Sequence, residues 1–202
     1  MFTGIINHTA IIESLARKPD HDLLIVVKLP SKNIDRNLDL GSSIACSGIC
    51  LTLIAKQEKE DYFLLNFGVS QETISKTTIS SWRVGNEINI EFSLRMGDEL
   101  GGHMVSGHVD GVAVIKSIKK FSDSHEIIFE FPPELKKFIS PKGSIVLNGV
   151  SLTINQVKEN NSSVNLIKHS FDHTNFRDTK VGDGVNLEID MIARYLNQLL
   201  TK

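Results

Sequence analysis

Gly101-Gly102-His103-Met104-Val105-Ser106-Gly107-His108-Val109-Asp110-Gly111 sits at the middle of a 202-residue chain and holds four glycines and two histidines. Met104 to Ile115 (MVSGHVDGVAVI) also repeats the opening of the chain, Met1 to Ile12 (MFTGIINHTAII). Two further blocks repeat in the same order. Gly41 to Leu53 (GSSIACSGICLTL) matches Gly143 to Ile154 (GSIVLNGVSLTI) if one residue is inserted in the first copy, and Val84 to Glu91 (VGNEINIE) matches Val181 to Glu188 (VGDGVNLE). Gly4 and Gly107 are 103 residues apart, Gly48 and Gly149 are 101, and Val84 and Val181 are 97. A drift this small is what loop-length differences produce, and a period near 100 indicates a duplicated domain and not a solenoid. The midpoint stretch then reads as the first strand of the second unit.

The pattern inside each unit is strand-like. Leu23 to Leu29 is β-branched and apolar and ends at Pro30, and Ile88 to Phe92 alternates with period two. Ile44 to Ile54 and Tyr62 to Val69 are further runs of the first unit. The second unit offers Val112 to Ile118, Glu126 to Phe131, Ser144 to Ile154, Val164 to Ile167 and Val185 to Ile189. Gly, Pro, Asn and Asp fall between them. Several short strands per hundred residues predict an all-β chain of two small antiparallel barrels. Short helical turns are expected near Ser70 to Ser75 and Pro133 to Ile139. In the tail, Ile192, Tyr195, Leu196 and Leu199 recur at helical spacing. That predicts an amphipathic helix which caps its own barrel or pairs with copies of itself. The resulting division is 1–97, 98–189 and a helix over 190–202.

Charge and composition narrow the function. A net charge of −2 gives no basic face for nucleic acid. No apolar run is long enough to cross a bilayer, and no leader precedes the first unit, so a cytoplasmic protein is expected. Two cysteines, Cys46 and Cys50, make no disulfide framework. The glycines of the midpoint do not form a dinucleotide fingerprint.

Chemistry is expected where the two copies agree in form and differ in atoms. Gly48-Ile49-Cys50-Leu51-Thr52 aligns with Gly149-Val150-Ser151-Leu152-Thr153. Residues two apart on a strand share a face, so each copy sets two small polar groups side by side. Such groups bond within the barrel or bind a ligand, and their recurrence points to two equivalent small-molecule pockets. Cys50 against Ser151 changes nucleophilicity, although a lone cysteine also serves as a small core residue. His108 replaces Ile5 and brings an acid/base group. Cys46, Cys50, His103 and His108 could alternatively form a zinc site.

With these blocks in place the chain resembles the riboflavin synthase family, in the motifs Met1 to Ile5, Gly48 to Thr52, Gly101 to Gly111, Gly149 to Thr153 and Val185 to Asp190. The match spans essentially the whole chain. The resemblance implies two six-stranded antiparallel Greek-key barrels, and a C-terminal helix that assembles a homotrimer. It implies one 6,7-dimethyl-8-ribityllumazine per barrel, with the active site between the first barrel of one subunit and the second barrel of its neighbour. Two lumazines would dismutate to riboflavin and 5-amino-6-ribitylaminouracil, without metal or organic cofactor. Association with lumazine synthase is a further partner it raises.

The resemblance also implies residues. Phe2 (stacking or positioning), Ser43, Cys50 (thiol) and His108 (acid/base) would be catalytic. The first pocket would involve Gly4, Ile5, Ile6, Ser43, Cys50, Leu51, Thr52, Gly68, Val69, Ser70, Gln71, Glu72 and Thr73, with Gly107, His108 and Val109 reaching back to it. The second would involve Lys142, Ser151, Leu152, Thr153, Asn165, Leu166, Ile167, Lys168, His169 and Ser170, with Asn148 and Asp190 in support. The chain departs from the family pattern at Asn148, where Asp is common, and at Lys168 and Ser170, where Pro and Thr are. Cys46 lies outside the usual motif. Two other readings are a non-catalytic lumazine- or flavin-binding protein of the same fold, and a reductase-type flavin barrel. Retention of both pockets argues against the first, and the missing nucleotide domain against the second.

Overall fold

A computed structural model describes residues 1–18 and 21–200. The first unit contains β1 (His8–Lys18), β2 (His21–Pro30), β3 (Ser43–Cys46), β4 (Ile49–Glu58), β5 (Tyr62–Val69), the short helix α1 (Gln71–Lys76) and β6 (Glu87–Phe92). The second contains β7 (Gly111–Lys120), β8 (Ser124–Glu130), β9 (Ser144–Leu147), β10 (Val150–Lys158), β11 (Asn161–Ile167), α2 (Lys168–Asp172) and β12 (Gly184–Ile189). A last helix, α3, spans Met191–Leu200. Among the described residues no helix is long and apolar enough to cross a membrane.

Each set of six strands closes into an antiparallel barrel. The neighbour order is β1-β2-β5-β4-β3-β6 in the first and β7-β8-β11-β10-β9-β12 in the second, the same Greek-key path twice. The repeat extends to irregularities. A bulge between Ile12 and Ser14 recurs between Ile115 and Ser117, and one between Leu53 and Ala55 recurs between Ile154 and Gln156. Bulges add local bend and twist, which closure of so small a barrel requires.

Several expectations need correction. The runs Ile44 to Ile54 and Ser144 to Ile154 are not single strands. Each is a hairpin turned at Ser47-Gly48 or Asn148-Gly149, with φ of 45° and 80° in one and 47° and 85° in the other. Two successive positive φ values are the tight turn that matches strand twist. No insertion separates the copies here: Gly41 corresponds to Lys142, both at positive φ (85° and 68°), and their N–H groups donate to Leu53 and Ile154. The midpoint stretch is not the first strand of the second barrel either. That strand begins at Gly111, and residues 101–110 form no ladder beyond one bridge, Phe2 to Val105.

Each barrel has its own core. Ile12, Ile25, Val27, Leu53, Leu65 and Phe67 anchor the first, and Ile115, Ile127, Phe129, Ile154, Val164 and Leu187 the second. Between them lies a polar handshake. Asn186 of the second barrel accepts from the Thr78 N–H (2.8 Å) and donates to the Ser47 carbonyl (2.9 Å). Asn89 of the first accepts from the Asn175 N–H (2.8 Å) and donates to the Asn148 carbonyl (2.8 Å). Buried amides are stable only with such partners. Asn148 belongs here: it is buried, its Oδ1 accepts from the Asn186 N–H at 2.9 Å, and its carbonyl takes the Asn89 amide from the first barrel.

Candidate functional site

The polar pairs singled out in the sequence face outward. On β4, Leu51 and Leu53 enter the core while Cys50 is half-buried and Thr52 exposed. On β10, Leu152 and Ile154 go in while Ser151 and Thr153 go out. Their hydroxyls and thiol are therefore available to a ligand without being stranded in apolar surroundings. Ser43 pairs with Thr52 across the β3–β4 ladder, and its carbonyl accepts from the Ser93 hydroxyl at 2.6 Å.

Two irregular segments complete these strands, and they are exchanged. The Cys50 N–H donates to the Gly107 carbonyl at 2.8 Å, so the start of the second unit lies on the first barrel. The Ser151 N–H donates to the Gly4 carbonyl at 2.8 Å, so the start of the first unit lies on the second barrel. Val109 packs on the first core and Ile6 on the second. Gly4, Ile5 and Ile6, expected with the first pocket, thus belong beside Ser151. Gly107, His108 and Val109 lie with Cys50.

The two glycines leave no room for a side chain. At Gly4 (φ +75°) an added Cβ would stand 2.5 Å from Ser151 Cβ, and at Gly107 (φ +77°) 2.7 Å from Cys50 Cβ. Where the segments cross, Phe2 and Val105 exchange backbone hydrogen bonds of 2.8 and 3.0 Å. Phe2 is wholly buried there with Ala45, Val105 and Val146. It has no face free to stack on a ligand; it pins the crossing.

Two buried carboxylates hold the segments. Glu91 accepts from Thr3 N–H (2.6 Å), Thr3 hydroxyl (2.7 Å) and Gly4 N–H (3.0 Å). Glu188 accepts from Ser106 N–H (2.7 Å) and Gly107 N–H (2.9 Å). Burial raises both carboxyls against the pull of these donors, Glu188 to about 7. Neither was singled out as a site residue, although both end matched blocks of the repeat.

The surroundings of the two strands differ in their imidazoles. His108 is exposed beside the first. His103, considered in the sequence only as a zinc ligand, sits at the second: its Nδ1 is 2.7 Å from Ser151 Oγ and its N–H donates to the Thr3 carbonyl at 3.2 Å. Burial lowers its pKa, partly opposed by Asp190, and its Nε2 is buried without a partner. A neutral imidazole bonded to a hydroxyl can accept or relay a proton. Cys46 is fully buried and its thiol pushed far up by desolvation, which makes it an inert core residue. Among the described residues no cluster of three or more His, Cys, Asp or Glu is placed to hold a metal.

The remaining expected residues sit where strands pass into turns and helices. Gly68, Val69, Ser70, Gln71, Glu72 and Thr73 run from β5 into α1, where the Ser70 hydroxyl caps the Thr73 N–H and Asp22 accepts from the Gln71 N–H. Asn165, Leu166, Ile167, Lys168, His169 and Ser170 make the matching passage into α2, but Ile167 offers no cap and is 61% exposed. Lys142 is exposed at its turn. Asp190 accepts from the Ile192 N–H at 2.9 Å and so caps α3. The apolar stripe of α3 is open: Ile192, Tyr195, Leu196 and Leu199 are all more than half exposed. The Arg194–Asp110 pair at 2.8 Å ties it to the barrel.

A duplicated barrel whose two outward strands are each completed by the other unit's leading segment defines a two-site small-molecule-binding protein. The family model described as the lumazine binding domain matches it twice, at residues 3–93 and 106–190. The riboflavin synthase of Brucella abortus (strain 2308) is 42% identical over 200 residues, covering 98% of each chain. The chain belongs to the riboflavin synthase family and is an enzyme of it. Among solved structures, LumP complexed with riboflavin superposes with a TM-score of 0.81 at 26% identity, covering 94% of this chain and 99% of that one. LumP complexed with 6,7-dimethyl-8-(1'-D-ribityl) lumazine gives 0.78 at 25% identity, with the same coverage.

Proposed function

We propose that the chain dismutates two molecules of 6,7-dimethyl-8-ribityllumazine to riboflavin and 5-amino-6-ribitylaminouracil by transfer of a four-carbon unit. One lumazine lies on the Cys50–Thr52 strand and one on the Ser151–Thr153 strand. The observation that carries this reading is the pair of outward strands, alike in backbone and different in chemistry. A reaction between two copies of one molecule suits a duplicated binding surface. Holding both rings face to face turns a bimolecular step into an effectively unimolecular one.

The chemistry requires proton removal from a ring methyl group and later proton return. His108 serves the first pocket as acid/base group, with the Cys50 thiol beside it. Ser151, bonded to His103, gives the second pocket its own proton carrier. The atoms of two lumazines equal those of the two products, so no co-reactant enters the balance.

Both strands are open to one side, so each ring needs a second surface. A homotrimer supplies it by facing the first barrel of one subunit with the second barrel of its neighbour. The uncovered stripe of α3 is the assembly element in this reading, and the cytoplasm is the compartment. Purified protein incubated with dimethylribityllumazine alone should form riboflavin, seen by its absorbance and fluorescence. Tight binding without turnover would overturn the enzymatic reading and leave a lumazine carrier.

A further inference from the structure

We propose that each pocket is set by a carboxylate belonging to the opposite barrel. Glu188 of the second barrel is the positioning residue of the Cys50 pocket, and Glu91 of the first barrel that of the Ser151 pocket. This rests on reading the Cys50 and Ser151 strands as the two pockets.

The path is a short chain of hydrogen bonds. Glu188 grips the N–H groups of Ser106 and Gly107, and the Gly107 carbonyl takes the Cys50 N–H. Glu91 grips Thr3 and Gly4, the Gly4 carbonyl takes the Ser151 N–H, and the Thr3 carbonyl takes the His103 N–H. The same arrangement occurs twice at matched positions of the repeat. The segments' other backbone bonds are made at Met1 (to Leu94), Thr3 (to His103) and Asp110 (to Leu187), not by the N–H groups of either glycine. Neither segment joins a ladder, and their shared bridge, Phe2 to Val105, fixes the crossing without fixing the turn at either glycine. That turn has no slack, because backbone and Cβ atoms of the facing strand lie within contact distance of both glycines. A carboxylate with two oxygens suits two convergent N–H donors as no neutral side chain does. Those donors offset part of the cost of burying the charge.

The consequence is crossed dependence, which a merely local structural role does not produce. Glu188→Gln and Glu91→Gln preserve shape, keep one acceptor and turn an amide N–H2 towards a peptide N–H. Two readouts on the full-length, ligand-free chain report the pockets separately. One is the alkylation rate of Cys50 by iodoacetamide in a Cys46→Ala background, where Cys50 is the sole thiol. The other is the imidazole NMR signal of His103.

Glu188→Gln should speed Cys50 alkylation about tenfold, the effect of losing one charged hydrogen bond, and leave the His103 signal in place. Glu91→Gln should move the His103 signal and leave the Cys50 rate unchanged. Each substitution acting on its own barrel, both acting alike on both pockets, or neither acting would overturn the proposal. Should a Gln variant fail to fold, Glu188→Asp and Glu91→Asp are read by the same criterion. They keep the charge but are too short to reach both donors. No turnover is measured, so absence of riboflavin formation would leave these outcomes intact.

Discussion

Replacing Gly107 by alanine tests the exchanged segments directly. Two costs are visible in the structure. A φ of +77° disfavours any residue with a Cβ, by about 1–2 kcal/mol. The new Cβ would also stand 2.7 Å from Cys50 Cβ and 2.9 Å from Cys50 N, so the segment must retreat from the strand. The 2.8 Å bond from Cys50 N–H to the Gly107 carbonyl then breaks, at about 1 kcal/mol or somewhat more for a buried donor left alone. The sum is about 3 kcal/mol, which for a chain of this size lowers Tm by about 6–12 °C. Gly41→Ala isolates the first cost, since Gly41 has φ +85° and nothing within 4 Å of an added Cβ. The fold already accepts a lysine at the matched position, Lys142. Calorimetry of both variants should show Gly107→Ala melting several degrees below Gly41→Ala. Equal melting temperatures would refute the claim that Gly107 is required by close approach to the first barrel.

Two more outcomes follow from the same geometry. Because Glu188 binds its proton more tightly folded than unfolded, its contribution favours the fold at acid pH and is lost as pH rises from 4.5 through about 7, by up to about 3 kcal/mol; urea midpoints at pH 5 and pH 8 should therefore differ less in Glu188→Gln than in the parent chain, and identical differences would sink the assignment. For the proposed homotrimer, deleting residues 191–202 should leave folded barrels whose mass by light scattering is one chain in place of three, whereas an unchanged trimer mass would refute α3 as the assembly element.

Much of the architecture is legible in the sequence because a repeat constrains everything between its matched blocks. The alternation in Ile88 to Phe92 and the apolar run Leu23 to Leu29 give their strands directly. β1 escapes notice because HTAIIESLARK carries a bulge after Ile12 that breaks the period of two. The hairpins were hidden by apolar residues on both sides of the turn, although Asn148-Gly149 is a strong turn signal. The sites divide in the same way. Cys50, Ser151 and His108 are visible as differences between aligned copies. The exchange of Gly4 and Gly107, the burial of Phe2, and the service of His103 to Ser151 depend on contacts between distant parts of the chain. No local pattern encodes those, nor the bond by which the Asn148 carbonyl ties the second barrel to Asn89 of the first.

The exchanged segments also order events in time. Phe2 and Gly4 leave the ribosome long before their partners Val105 and Ser151 exist. Until β10 is made, Gly4 has no strand to lie on and Phe2 has no pocket to enter. The first barrel can close on its own ladders as its six strands emerge, but Cys50 waits for Gly107, and Ser151 finds Gly4 already waiting. Joining such distant residues is slow, so the Cys50 strand is completed first and the Ser151 strand only once β10 has been made, each as a late step in folding.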